Sequence, residues 1–108
     1  MLEAILSSRS REIVLQFLAA RKEGYAYEIS KYYSTSLSPI QNQLENLENG
    51  GVLISKLAGK TRIYCLNPRY PFIRELTAFI EKSITFLPDE DRENLLIYRK
   101  RPRRKGKP

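Results

Sequence analysis

The chain has 108 residues, of which 42% are hydrophobic and 29% are charged, with a formal net charge of +7, one cysteine and no histidine. This length corresponds to one domain, or to one domain with an appendage, and no apolar run approaches the ~20 residues of a membrane span. The residue counts exclude the usual zinc and iron cages and the Ser-His and Cys-His nucleophile pairs, so we expect no cofactor, no metal and no enzyme.

The first third of the chain predicts three helical segments. Apolar residues near the N-terminus predict a helical turn: Leu2, Ile5 and Leu6. Residues 11–22 carry apolar side chains at helical spacing and predict an amphipathic helix, capped by a preceding serine and ended by Gly24. Residues 25–33 predict a second, shorter helix, and residues 34–37 the turn that follows it.

A third long helix is predicted from Pro39 to about Asn49. Ser38 is a favourable N-cap, proline suits the first helical position, and Gln41 completes a capping-box pattern three residues after the cap. The glycine pair at 50–51 stops the helix. Apolar residues at helical spacing predict one buried stripe: Ile40, Leu44 and Leu47.

Polar residues of this helix and a basic hairpin after it indicate a nucleic-acid interface. The other helix faces carry amides instead of a lysine and glutamate mix: Gln41, Asn42, Gln43 and Asn46. Two β-rich runs, residues 52–57 and 62–66, surround a turn at 58–61 and predict a hairpin. Between Asn49 and Arg74 the chain has basic residues and no acidic one: Lys56, Lys60, Arg62 and Arg69. A helix, a tight stop and a basic hairpin are the plan of a winged helix-turn-helix.

A strongly apolar segment follows the break at residues 67–71. It predicts a helix of about four turns, ended by Pro88, with these apolar positions: Phe72, Ile73, Leu76, Phe79, Ile80, Ile84 and Leu87. The stripe is wider than a terminal helix of a small domain needs, which favours a subunit interface over plain core. Residues 89–98 predict one more short helix with acidic residues at its positive end.

The net charge comes from the C-terminus. Seven of the 19 basic residues lie in residues 99–107, which leaves twelve basic residues to balance the twelve acidic ones in residues 1–98. Such a block is predicted to be a flexible tail because its charges repel and it has nothing apolar to bury. Beside DNA it would add salt-sensitive affinity through phosphate contacts. The alternative is a tail that only aids solubility.

Two segments, SPIQNQLENLENGGVL at residues 38–53 and KTRIYCLNP at residues 60–68, resemble the ArsR-type winged-helix transcriptional regulators. The resemblance covers residues 8–87. It implies a homodimer in which the outer helices, residues 2–6 and 72–87, pack together. It also implies a recognition helix in the major groove of DNA and wings near the backbone or the minor groove.

The chain departs from this family in two places. The clustered cysteines and histidines of metal-sensing members are missing, so metal sensing is not expected. Many relatives have Ser-Arg-His where this chain has Gln41, Asn42 and Gln43. Glutamine and asparagine can pair bidentately with adenine, which suggests A·T pairs in each half-site, although amides also contact phosphate.

The predicted fold class is mainly α with a small β-hairpin (α+β): a winged helix-turn-helix with an extra C-terminal dimerisation helix. We expect this domain over residues 1–87, a short helix over 88–98 and a basic flexible tail over 99–108. The N-terminus lacks a basic-then-apolar signal pattern, so a cytoplasmic protein without membrane contact is expected.

The predicted function is that of a sequence-specific regulator that binds double-stranded DNA as a homodimer. The expected DNA contacts are Ser36, Ser38, Pro39, Gln41, Asn42, Gln43, Lys56, Lys60, Arg62, Arg101, Arg103 and Arg104. The expected dimer contacts are Leu2, Ile5, Leu6, Phe72, Leu76, Phe79, Ile80 and Ile84. One alternative is a protein-interaction module of the antitoxin or adaptor type, and another is RNA binding through the tail alone.

Overall fold

The computed structural model describes residues 1–100 of the chain. Within these residues it has six helices and one antiparallel hairpin, the α+β architecture predicted from the sequence. In chain order the elements are α1 (Glu3–Leu6), α2 (Arg9–Arg21), α3 (Ala26–Tyr33), α4 (Leu37–Asn49), β1 (Leu53–Ala58), β2 (Thr61–Leu66), α5 (Ile73–Ile84) and α6 (Asp89–Lys100). None of the described helices is long and apolar enough to cross a membrane.

Helix α2 is the centre of the core. Nine consecutive residues, from Glu12 to Ala20, are buried, because α1, α3, α4, α5, α6 and β2 all contact this helix. The sequence predicted an amphipathic helix, and this is wrong: Glu12 and Gln16 are as buried as Phe17. A helix surrounded on all sides has no solvent face to show in its pattern. The helix begins at Arg9, where the N–H of Arg11 donates to the Oγ of the N-cap residue Ser8 at 3.1 Å.

Helices α3 and α4 form the helix-turn-helix. The turn holds Ser34 in the left-handed region (φ 53°), and the N–H of Thr35 donates to the carbonyl oxygen of Ser30 at 2.9 Å. Helix α4 starts at Leu37, two residues before its predicted start, so Ser38 lies inside the helix and the predicted capping box is wrong. Pro39 is tolerated as the third helical residue because the first N–H groups of a helix have no intrahelical partner. The predicted buried stripe of α4 is confirmed: Ile40, Leu44 and Leu47.

The hairpin is joined to the helices through Gly24. Strands β1 and β2 pair so that Ala58 faces Thr61, with Gly59 in the turn at φ 66°. Gly24 does not end α2, which stops at the cap residue Lys22; instead it exchanges two backbone hydrogen bonds with Tyr64, of 3.0 and 2.8 Å. A Cβ at Gly24 would lie 2.7 Å from Cε1 of Phe17. Only glycine therefore lets the chain pass between the core aromatic ring and β2.

The two C-terminal helices, α5 and α6, both pack against α2. Helix α5 ends at Ile84, one turn earlier than predicted, and α6 begins directly after Pro88 and runs to Lys100, beyond the predicted end at residue 98. Arg21 donates to the carbonyl oxygens of Leu95 (3.0 Å) and Asn94 (3.1 Å), which ties α6 to α2. Leu95 is buried, so α6 is part of the common core of the domain.

Candidate nucleic-acid interface

The leading half of α4 carries most of the helix residues predicted to contact DNA, and the structure exposes them. The exposed residues are Ser36, Ser38, Pro39, Gln41 and Asn42. They project from a helix whose opposite side is anchored by Ile40, fully buried one residue before Gln41. The first turn of α4 also presents backbone N–H groups that lack intrahelical partners, and the helix dipole makes this end positive. The surface can therefore accept a phosphate or a base edge.

Gln43 is placed differently from its neighbours. It is half-buried, and its Oε1 accepts a hydrogen bond from Nε of Arg11 at 2.8 Å. This bond links α2 to α4 across the interior side of the helix. The carbonyl oxygen of Gln43 thus helps to position the helix, and its contact with DNA stays a prediction.

The basic residues of the wing lie at different places on the hairpin. Lys60 is exposed in the turn, and Lys56 and Arg62 are exposed on the strands. Side chains alternate between the two faces of a strand, so Lys56 lies on the opposite face from Ser55. The register places Ser55 across from Tyr64, two residues from Arg62, so Ser55 and Arg62 share one face.

A hydrogen-bonded network joins this face of the wing to α4. Nη1 of Arg62 donates to Oγ of Ser55 at 2.9 Å, and Oγ of Ser55 donates to Oε2 of Glu48 at 2.6 Å. The Glu48–Ser55–Arg62 network therefore contains residues from α4, β1 and β2. It brings a carboxylate close to a cation that the sequence assigned to DNA. Sequence patterns do not reveal this, since the pairing needs the observed hairpin register.

One groove contains both the helix and the wing residues. A surface cavity of about 540 Å³ between α3, α4 and β2 is lined by Gln41, Lys60 and Arg62. Glu45 lies on the same wall, so the groove is not purely basic. The arrangement puts a possible base-reading amide and two cations on one face of the subunit.

Two tyrosines of the groove were not predicted as site residues. Tyr25 and Tyr27 line it from the start of α3 and are both exposed, Tyr27 by 57%. Nζ of Lys31 lies 5.5 Å from the centre of the Tyr27 ring. Tyr25 and Tyr27 follow the buried Gly24, and the fold brings both rings beside the wing. The sequence alone does not reveal this placement.

Two groups near the groove have shifted acidity. Burial raises the pKa of Glu28, although the N–H of Tyr25 donates to its Oε1 at 3.3 Å. Burial also raises the pKa of Tyr64, and the negative charge of Glu48 acts in the same direction. In both groups the shift favours the neutral form of the side chain.

The predicted dimer surface is divided by the structure. Leu2, Ile80 and Ile84 are buried within the subunit and belong to its core. For Ile80 and Ile84 the reason is that α5 packs directly on α2. Leu6 and Leu76 are half-buried. The residues that remain exposed are Ile5, Phe72 and Phe79, and the structure adds Phe86, which the sequence analysis did not select.

The remaining predicted contacts are Arg101, Arg103 and Arg104 of the basic tail. They lie outside the described residues.

Comparison with known proteins identifies the fold. No family model matches the chain, and no curated protein matches it. Among solved structures, the AntR antimony-specific transcriptional repressor is 18% identical with a TM-score of 0.57, over 78% of each chain. The YusO protein from Bacillus subtilis is 16% identical with a TM-score of 0.58, over 92% of this chain and 78% of its own. A double mutant of ZitR from Lactococcus lactis in the apo form is 18% identical with a TM-score of 0.56, over 90% of this chain and 81% of its own.

These likenesses agree with the order of elements seen here: a helix-turn-helix, a two-stranded wing and flanking helices. At this level of identity they concern architecture, to which the sequence resemblance had also pointed. The chain has the winged helix-turn-helix fold.

Proposed function

We propose that this chain is a transcriptional regulator of the ArsR type that binds double-stranded DNA sequence-specifically as a homodimer. The observation that carries the proposal is the exposed leading half of α4, where Gln41 and Asn42 face solvent while Ile40 anchors the helix from behind. A recognition helix needs this division, since its N-terminal residues must reach base edges while its other side holds the fold. The architectural likeness to the repressor AntR is consistent with this role.

Base recognition and phosphate contact are assigned to different residues. Gln41 and Asn42 read adenine in the major groove through bidentate amide contacts, each worth ~1–3 kcal/mol of discrimination. Lys60 at the wing tip grips phosphate, which adds affinity without sequence preference. The groove that contains both Gln41 and Lys60 supports this division, because one duplex can meet both.

The homodimer is proposed from the exposed apolar surface of α1, α5 and the segment after α5. Phe72 and Phe86 are 63% and 67% exposed, which is unusual for aromatic side chains of a small domain. Pairing two copies through this surface would cover the rings. Two-fold symmetry would then set two half-sites about 34 Å apart on the duplex.

The proposal is tested by selecting duplexes from a random library with the full chain and measuring binding across variants of the selected site. Gln41→Ala should reduce the preference between bases at one position of each half-site. Lys60→Ala should weaken binding to all sequences alike and reduce the salt dependence. If both substitutions change affinity in the same way at every sequence, the assignment of roles is wrong. If no duplex is bound at low salt, the proposed function itself fails.

A protein-interaction module is the second candidate, and the acidity of α4 favours it. Glu45 and Glu48 lie on the trailing half of the helix, and Glu45 lines the groove that DNA would approach. Such a surface also suits a basic protein partner. A stable complex with a protein from the source cells, formed by a chain that binds no duplex and lost on Glu45→Lys substitution, would establish this alternative.

A further inference from the structure

The Glu48–Ser55–Arg62 network gives the wing a fixed attachment to the recognition helix. Glu48 lies near the C-terminal end of α4, whereas Ser55 and Arg62 lie on the two strands of the hairpin. The hairpin has few other restraints toward its tip, because Lys56, Leu57, Ala58, Gly59 and Lys60 are all exposed. The network therefore acts where the wing leaves the body of the domain.

The Ser55 hydroxyl can make both hydrogen bonds of the network at once, one as donor and one as acceptor. The hydroxyl of Ser55 has one proton, which it donates to the carboxylate of Glu48 at 2.6 Å. Its oxygen can still accept, and Nη1 of Arg62 donates to it at 2.9 Å. The outer partners are a carboxylate and a guanidinium, and hydrogen bonds to charged groups are stronger than those between neutral groups. Ser55 therefore bridges two side chains of opposite charge.

The network also changes what Arg62 can do for DNA. One guanidinium nitrogen of Arg62, Nη1, is engaged by Ser55, whose hydroxyl is in turn bonded to the carboxylate of Glu48. Lys60, at the turn, is exposed like Arg62 but is not part of this network. The two cations of the groove are thus unequal: Lys60 is available to phosphate, and Arg62 is engaged by the fold.

We propose that Ser55, held between Glu48 and Arg62, is a positioning residue that sets the angle of the wing relative to the recognition helix, and that Arg62 acts in this network instead of contacting phosphate. The proposal rests on the proposed DNA-binding function, which it refines. It reverses the role that the sequence predicted for Arg62 and adds Glu48 and Ser55, neither of which was predicted as a site residue.

The first experiment uses the free protein and needs no DNA. Ser55→Ala removes both hydrogen bonds, so amide hydrogen exchange in β1 and β2 should become faster, by roughly fivefold if the network is worth about 1 kcal/mol. Ser55→Thr keeps the hydroxyl and suits a strand, so exchange should remain as in the wild type. Equal exchange rates for the wild type and Ser55→Ala would overturn the proposal.

The second experiment measures how affinity for the selected duplex depends on salt. Each phosphate contact contributes about 0.9 to the slope of log affinity against log salt concentration. Lys60→Ala, the matched control, should reduce the steepness by about 1. Arg62→Ala should lower affinity by roughly fivefold and leave the slope unchanged, because it disturbs wing geometry and removes no phosphate contact.

Two further variants separate positioning from contact. Ser55→Ala should lower affinity about as much as Arg62→Ala, and the double variant should be no worse than either single one, as expected for residues acting through one network. Ser55→Thr should restore wild-type affinity. A slope reduced by about 1 in Arg62→Ala, or additive losses in the double variant, would show that Arg62 contacts phosphate directly. Failure of every variant and of the wild type to bind duplex would refute the proposed function, while the exchange experiment would still decide the network.

Discussion

Helices α2 and α4 have the same length, thirteen residues, and opposite relations to solvent. Helix α2 is enclosed by other elements and buries Glu12 and Gln16 along with its apolar residues. Helix α4 buries only Ile40, Leu44 and Leu47, and leaves the amides of Gln41, Asn42 and Asn46 exposed. Polar residues on a helix are therefore candidates for a binding site only where the fold leaves their side chains exposed to solvent. On α2, Gln16 donates a hydrogen bond to Ser83 inside the domain, whereas on α4 the exposed amides are free to meet a ligand.

The largest expected difference between the two helices is the loss of stability on truncating an aromatic side chain in the core. Phe17→Ala on α2 should lower the free energy of unfolding by ~3–5 kcal/mol, because it leaves a cavity where the ring now contacts Tyr32 and Tyr33 at centroid distances of 5.7 and 6.4 Å. Asn42→Ala on α4, the control, should change stability by less than ~0.5 kcal/mol. Urea denaturation measures both. Comparable losses for the two variants would contradict the comparison.

A smaller loss is expected at the junction between α2 and the wing. Gly24→Ala places a methyl group 2.7 Å from Cε1 of Phe17 and should destabilise the fold by ~1–3 kcal/mol. Gly59→Ala, the control, meets nothing within 4 Å and tests only the positive φ of the turn. Thermal unfolding followed by circular dichroism compares the two. A Gly24→Ala protein as stable as the wild type would show that the ring moves aside without cost.

Removal of the buried hydroxyl of Tyr33 should stabilise the protein. Among the residues that the structure describes, this hydroxyl has no hydrogen-bond partner, so Tyr33→Phe should raise the free energy of unfolding by about 1 kcal/mol. Tyr27→Phe, at an exposed ring, should have no measurable effect. A loss of stability in Tyr33→Phe would mean that the hydroxyl has a partner, such as water, in solution.

Tyr33 should also make the stability of the protein depend on pH. Burial raises the pKa of Tyr33 above its ordinary value of 10.0, so the folded state disfavours the phenolate. Its stabilising contribution is complete below pH 10 and is lost as the pH rises from there toward the higher folded-state pKa. Wild-type stability should therefore fall more steeply than that of Tyr33→Phe above pH 10. Parallel curves from pH 8 to 11, measured by urea denaturation, would contradict the assignment.

The smallest expected effect concerns the link between the two helices. Arg11→Ala removes the 2.8 Å hydrogen bond to Gln43 and should cost ~0.5–1.5 kcal/mol. Arg11→Lys tests whether a charge without the guanidinium geometry suffices. Urea denaturation compares the free energies of unfolding of both Arg11 variants with that of Gln43→Ala. If Arg11→Ala and Gln43→Ala are fully additive in the double variant, the bond contributes nothing to the position of α4.

Local signals in the sequence were enough for much of the fold. Periodicity predicted α4 and its buried stripe, and the alternation of β-rich runs and turn residues predicted the hairpin, because these patterns depend on neighbours within a few residues. The exposure expected for Gln41 and Asn42 followed from the same periodicity. The start of α4 was wrong by two residues, since a serine followed by proline resembles a cap even when the chain is already helical.

Other features depended on contacts between distant parts of the chain, and only the tertiary structure decided them. The burial of all sides of α2, the pairing of Gly24 with Tyr64 and the assignment of Ile80 and Ile84 to the core arise from packing that no local pattern records. The engagement of Gln43 and Arg62 belongs to the same class. The sequence alone determined which residues carry amides and charges. The structure decided which of them remain available to a ligand, because availability depends on what folds against each side chain.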